Sequence, residues 1–232
     1  MIRATIIYLF VGTYILIMTP VAIIWASVFR DTRCFYGLGR YCIRIAGWIA
    51  QVKVRISGQE KVEPGKTYVF LSNHQGNCDA PILFHAIPRD LRALIKKELM
   101  NLPMLSLVLR QAKFVPIDRT DPNNARASIE LGARLLREGY SFLAFPEGTR
   151  SRDGQLGAFK KGAFIMAMKA RVPIIPVTIA NSSAVQPPGK YSIRPGVVDV
   201  ILHDPIETAD YRMEDRDAVL DLTREAIASG LS

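Results

Sequence analysis

The sequence is poor in cysteine, in histidine and, over its first quarter, in acid. Cys34, Cys42 and Cys78 are an odd set with no CxxC spacing. That excludes a disulfide framework and a cysteine zinc site, and reduced thiols in a cytosolic compartment are expected. The histidines, His74, His85 and His203, lack ligand spacing, which argues against a metallohydrolase. There is no GxSxG turn, internal repeat or low-complexity tract. Gly37-Leu38-Gly39 lacks both a preceding strand and the third glycine of a dinucleotide loop. Residues 1–58 hold seven Lys/Arg against the single acid Asp31, while the other 174 residues carry a net charge of only +3. Asn181-Ser182-Ser183 matches a glycosylation sequon, an accidental match if the domain is cytosolic.

Charge is also missing from Ala4 to Phe29, a run rich in Ile, Val and aromatics. A spanning helix needs about 20 apolar residues, so the length suffices. Ala26-Ser27-Val28 is a weak cleavage site, so an uncleaved anchor is expected rather than a signal peptide. Pro20 is expected to kink or split the helix, leaving either one tilted span or a helical hairpin dipped into one leaflet. Arg3 stands before the run; Arg30, Arg33, Arg40, Arg44, Lys53 and Arg55 follow it. This asymmetry puts the bulk of the chain on the cytoplasmic side of the inner membrane. The stretch Cys34–Ile49 mixes aromatics with spaced arginines, the pattern of a helix lying on an anionic membrane surface. The rival is a helix packed on the globular part. Because the basic segment is also the apolar one, a nucleic-acid partner is not expected.

Short apolar runs alternating with longer amphipathic ones make up the rest. Strands are predicted at 52–56, 68–72, 92–95, 114–117, 141–145, 174–180 and 197–202. Helices are predicted after Asp79, which can cap the first of them, and over 98–110, 123–138, 159–170 and 214–228. This alternation predicts an α/β fold, a mixed and largely parallel sheet flanked by helices. We divide the chain into a membrane segment, 1–57, and a globular domain, 58–232. In such sheets ligands sit beyond the carboxyl ends of strands.

Two constellations fall at such ends. Asn73-His74-Gln75-Gly76-Asn77-Cys78-Asp79 follows the 68–72 strand. On one helix His74 and Asp79 would point about 140° apart, so they meet only if the histidine sits in a turn and the aspartate starts the next helix. Gly76 and Asn77 permit that turn. A carboxylate on one imidazole nitrogen frees the other to take a proton. With no serine or cysteine nucleophile fixed by motif, the attacking hydroxyl is expected to come from a substrate. Phe145-Pro146-Glu147-Gly148-Thr149-Arg150-Ser151 follows the 141–145 strand. Its turn amides can face an anion, and Arg150 offers a fork suited to phosphate. Glu147 is positioned to accept from a glycerol hydroxyl or to hold an arginine. Lys113, Arg119, Lys160 and Lys161 add cations to a phosphate pocket. Val172-Pro173-Ile174-Ile175-Pro176-Val177 reads as core at a sheet edge or bulge, or as the lining of an acyl-chain groove.

His74 and Asp79 resemble the HX4D signature of glycerolipid acyltransferases, and Phe145–Ser151 resembles their FPEGTRS block. Lys113–Arg119 and Val172–Val177 resemble two further blocks, in family order. The resemblance, to PlsC-like 1-acyl-glycerol-3-phosphate acyltransferases of bacteria, covers most of the chain after residue 50. It implies an acyl-CoA or acyl-carrier-protein donor, a lysophosphatidic acid acceptor, phosphatidic acid as product and no metal or cofactor. It also implies that His74 is the base and Asp79 its partner. Arg119, Glu147, Gly148 and Arg150 would bind the acceptor, with Thr149, Lys113 and Lys160 in the same pocket. The rivals are transfer to another lyso-lipid, such as a lyso-ornithine lipid or lysophosphatidylglycerol, and a non-catalytic membrane-binding module.

Overall fold

The computed structural model describes every residue except Met1, Arg119, Arg152 and Ser232. Its strands are β1 (Val52–Ser57), β2 (Val69–Ser72), β3 (Arg92–Lys96), β4 (Val115–Ile117), β5 (Phe142–Ala144), β6 (Ile174–Ala180) and β7 (Gly196–Leu202). They form one sheet in the order β1-β7-β6-β2-β5-β3-β4. β6, β2, β5, β3 and β4 run parallel. β7 joins β6 antiparallel and β1 joins β7 parallel. The expected mixed, largely parallel sheet is present. β1 belongs to it, so the globular domain begins at Val52 and not at residue 58.

Burial follows position in the sheet. The central strand β2 is buried throughout, while edge strand β1 alternates. Successive residues of β2 point to opposite faces. Tyr68 and Phe70 pack with Leu83 and Ile87 on the face covered by α3 (Asp79–Ala86). Val69 and Leu71 pack with Leu136, Phe164 and Val219 on the other. That face is covered by α5 (Pro122–Arg137), α6 (Gly162–Ala170) and α8 (Arg216–Ser229), the one-turn α7 (Ser182–Val185) coming between β6 and β7 in the chain.

Several elements differ from expectation for local reasons. The helix predicted over 98–110 breaks at Leu102, because the residue before a proline disfavours helical backbone. Leu102 is extended (φ −90°, ψ 109°), separating a 3-10 turn at Lys97–Asn101 from α4 (Pro103–Gln111). Asp121 caps α5 by accepting from the Asn123 amide, with Pro122 at its first position. β6 is an interior strand despite Pro176, which is in register with Leu71 of β2 and on its other side faces the chain leaving β7. The Pro176 carbonyl accepts from the His203 amide, and pairing with β7 starts only at Val177. Ile174–Val177 is core, and the acyl-groove alternative for it does not hold.

α1 (Ile2–Phe29) runs unbroken through Pro20, contrary to the expected split. The hairpin that forms is α1 against α2 (Arg33–Ala50). Tyr14 Oη donates to the Leu38 carbonyl at 3.0 Å, and Arg3 reaches Gln51 Oε1 at 2.8 Å. α1 also touches the sheet domain at both ends: Gln186 donates to Tyr8 Oη at 2.9 Å and Gln111 to Ser27 Oγ at 3.3 Å. α2 packs on the domain by one face, presenting Tyr41 and Trp48 outward. Its Tyr36 Oη donates to the Leu91 carbonyl, and Arg40 pairs with Asp90 at 2.9 Å.

Arg92 fastens this junction. It is buried, with its guanidinium 4.4 Å from the Tyr140 ring centroid and 5.2 Å from that of Tyr36. It also donates to the Asp90 carbonyl at 2.6 Å. Arg92→Met should lower stability by about 1–2 kcal/mol, the scale of a desolvated cation–π contact. Denaturant unfolding in detergent measures this; an unchanged midpoint would show that the sandwich contributes nothing net.

Candidate active site

The turns after β2 and β5 are neighbours because the strands pair in parallel register, Leu71 opposite Ala144. The His74 and Glu147 motifs therefore meet at one edge of the sheet. Asp79 opens α3 rather than capping it, and its fully buried carboxylate folds back on the turn. Oδ2 lies 2.6 Å from His74 Nδ1 and accepts from the amides of Gln75 at 2.7 Å and Gly76 at 2.8 Å. An ionised carboxylate only accepts, so the proton sits on Nδ1 and the lone pair on Nε2. The imidazole stacks on Phe145, centroids 4.0 Å apart, and lines the main cavity. A Cβ at Gly76 would lie 2.8 Å from the Ser182 carbonyl oxygen, so only glycine fits.

The amides of Gln75 and Gly76 thus serve Asp79, and the His74 amide serves Glu147 at 2.9 Å. These three amides of the turn are therefore not free to hold an oxyanion. Glu147 is a correction too. It is buried; Oε1 accepts from His74 and Oε2 from the Gly157 amide at 2.9 Å. It faces sideways to the neighbouring turn and not into the cavity, because adjacent parallel strands put the two turns side by side. Ser151 N donates to the His74 carbonyl at 2.8 Å, completing the clamp from the β5 side. On the β6 side Asn73 exchanges two hydrogen bonds of 2.8 Å with Ile179 backbone. Burial, with the Asp79 carboxylate beside it, pushes the Cys78 thiol up to about 12, which leaves little thiolate to act as a nucleophile.

The cavity holds about 1450 Å³. Gly148, Thr149, Arg150 and Lys160 line it as expected, together with Lys96 and Lys190, which sequence reading passed over. Lys96 could have been flagged as the last residue of β3; Lys190 enters from a loop distant in sequence and gives no such signal. Gly148 takes φ +74°, and a Cβ there would press on the Lys160 side chain at 3.0 Å. Among the described residues none of Lys96, Arg150, Lys160 and Lys190 has an ion-pair partner. Lys161 turns away to pair with Asp217 at 2.9 Å. Lys113 is a correction: it precedes β4 and so lies at the amino edge of the sheet, 4.0 Å over the Tyr140 ring and paired with Glu138. Arg119 lies outside the described residues. Its neighbour Asp118 is held well below the usual carboxylate range by Lys97 and by Thr120.

The profile of the Acyltransferase family matches residues 53–180. The chain belongs to the Acyltransferase family. A 1-acyl-sn-glycerol-3-phosphate acyltransferase of Chlamydomonas reinhardtii is 35% identical over 77% of this chain and 53% of its own length. One from Borreliella burgdorferi is 32% identical over 62% of this chain and 58% of its own. The chain spans about half the length of the curated relatives it matches. The crystal structure of the 1-acyl-sn-glycerophosphate acyltransferase PlsC from Thermotoga maritima shares the fold. Its TM-score is 0.81 at 23% identity, covering 97% of this chain and 94% of that one.

A residue that sequence reading missed supports the clamp from afar. Arg224 on α8 donates to the carbonyls of Gly157 at 2.5 Å and Leu156 at 2.9 Å, holding the loop whose amide meets Glu147. Glu147→Gln keeps the shape but replaces one acceptor by a donor that opposes Gly157 N–H. Turnover should fall about tenfold or more, as a charge-assisted bond is worth about 1.5–3 kcal/mol, with the acceptor KM little changed. Steady-state kinetics decide: a raised acceptor KM at full turnover would return Glu147 to the substrate.

Proposed function

We propose that this chain transfers a fatty acyl group from a thioester, acyl-CoA or acyl-carrier protein, to the free hydroxyl of 1-acyl-glycerol-3-phosphate, giving phosphatidic acid. The observation that carries this is a free imidazole nitrogen, oriented by a buried carboxylate, facing a cavity lined by cations without acidic partners. Such a lining suits a phosphate-bearing acceptor. His74 Nε2 takes the hydroxyl proton as the oxygen attacks the thioester carbonyl, and Asp79 stabilises the imidazolium. The C–S bond then breaks, and the imidazolium returns its proton to the departing thiolate. With the His74 turn's amides engaged, the cations of the cavity are left to oppose the oxyanion.

The names of the relatives support the same acceptor. We further place the chain on the inner membrane with its sheet domain in the cytoplasm. The support is the apolar α1 and the cations that follow it, which suit the anionic cytoplasmic leaflet. Because α1 is tied to the domain at both ends, it fits better lying along one leaflet than crossing the bilayer. Tyr41 and Trp48 on α2 face outward, where an anionic surface would meet them.

Purified protein given labelled acyl-CoA and a panel of lyso-lipids should prefer lysophosphatidic acid. Preference for lysophosphatidylglycerol or a lyso-ornithine lipid would overturn the acceptor. His74→Ala should cost about 10²–10⁴-fold in turnover in a folded protein. Arg150→Lys keeps the charge but loses the two-point hold, so efficiency toward the acceptor should fall about ten- to a hundredfold while the donor KM stays. A raised donor KM alone would assign Arg150 to the donor's phosphates instead.

A further inference from the structure

Outside α1 and α2, the large hydrophobic side chains exposed among the described residues are Leu99, Leu102, Met104, Leu105, Leu107, Tyr191, Met213 and Leu222. Five of these eight fall within the nine residues 99–107. In an amphipathic surface helix the apolar stripe faces the core. Here α4 buries only Leu109 and turns Met104, Leu105 and Leu107 to the outside, with Leu99 and Leu102 leading in. No acid occurs between Glu98 and Asp118, and Lys97 and Arg110 flank the patch. A contiguous exposed apolar patch of this kind marks an interaction surface.

Its surroundings indicate what covers it. α4 lies against α1: Gln111 reaches Ser27 at 3.3 Å, and Val108 and Leu109 share with Val11, Tyr14 and Met18 the lining of an apolar cavity of about 470 Å³. Beside that contact Ile24, Trp25, Val28 and Phe29 of α1 are themselves exposed. The apolar surface therefore continues from the membrane-associated helix onto the sheet domain. The patch also begins three residues after Lys96, which lines the His74 cavity.

We propose that the Leu99–Leu107 face is a second lipid-contacting surface, entering the same leaflet as α1 and setting the cavity mouth at headgroup depth. The proposal rests on the membrane reading above. An acceptor with its chain in the bilayer then presents its phosphate to Lys96, Lys160 and Arg150 without leaving the membrane. The residues concerned touch neither His74 nor its clamp.

The test uses the full chain carrying Leu102→Glu and Leu105→Glu, both exposed positions, with flotation on phosphatidylcholine vesicles containing phosphatidylglycerol. Partition should fall about tenfold or more, because apolar burial at the interface is replaced by charge repelled from anionic lipid. Activity on vesicle-borne lyso-lipid should fall with it, while activity on a short-chain, water-soluble lyso-acceptor and the unfolding midpoint persist. As a reporter, Leu105→Trp in a Trp25→Phe/Trp48→Phe background should be quenched by brominated lipid. If the native protein floats, but the double variant floats equally well and the reporter is not quenched, the α4 surface is overturned and the membrane reading stands. If the native protein does not float, the membrane reading itself fails. A dimer of the native chain that the double variant dissolves would assign the face to a second copy. A raised KM for acyl-carrier protein alone, at unchanged partition, would assign it to the donor carrier. Both results overturn the lipid assignment.

Discussion

One buried oxygen, Oδ2 of Asp79, organises the catalytic edge of this protein. A carboxylate out of water is tolerable only when its charge is met by donors. Here the donors are the imidazole of His74 and the amides of Gln75 and Gly76. Meeting them folds the chain between β2 and α3 into a single tight turn, and there the Ser182 carbonyl comes so close that a side chain larger than hydrogen cannot stand at Gly76. The same bonds set the imidazole's tautomer and aim Nε2 outward. One contact serves both ends: the turn that meets the charge is the turn that presents the imidazole.

Around it the structure adds layers of restraint in order of distance. Phe145 supports the ring from below. Glu147 ties the His74 amide to the Gly157 loop, and Arg224 on the last helix ties that loop to the body of the domain. Asn73 fastens the other side to β6. Every one of these bonds ends on backbone, so they fix where the chain runs more than what the side chains do. Hydrogen bonds to ionised groups are the stronger kind, and the histidine's two covalent flanks are held by them. The cations of the cavity are the reverse case. They lack acidic partners among the described residues, and a cluster of like charges in a concave site is stable only if water or an anion answers it.

The membrane side follows a different logic. α1 and α2 form a hairpin that closes on the domain through Tyr36, Arg40 and the buried Arg92. Apolar surface then remains on α1 and on α4. In water such a surface is costly; on the reading proposed above a bilayer covers it.

Local pattern was enough to read much of this. Short apolar runs set between longer amphipathic ones marked the strands. The His–Asp spacing around Gly76 required a turn and a helix start, and the charge-free run from Ala4 to Phe29 marked the apolar helix. These are properties of neighbouring residues, and neighbours carry them wherever the chain goes. The sequence could not say which way Glu147 faces, that Lys113 lies at the wrong edge, or that Lys190 and Arg224 matter. Nor could it say that β6 is interior despite Pro176, or that α1 continues as one helix through Pro20 and packs back on α2. Each of these depends on which strand lies beside which. Pairing brings together residues such as His74 and Glu147 that are separated by 73 positions. Composition and spacing determined the kinds of element and the chemistry they could carry; the order of the strands decided which groups meet, because contact across a sheet is a long-range property that no local window contains.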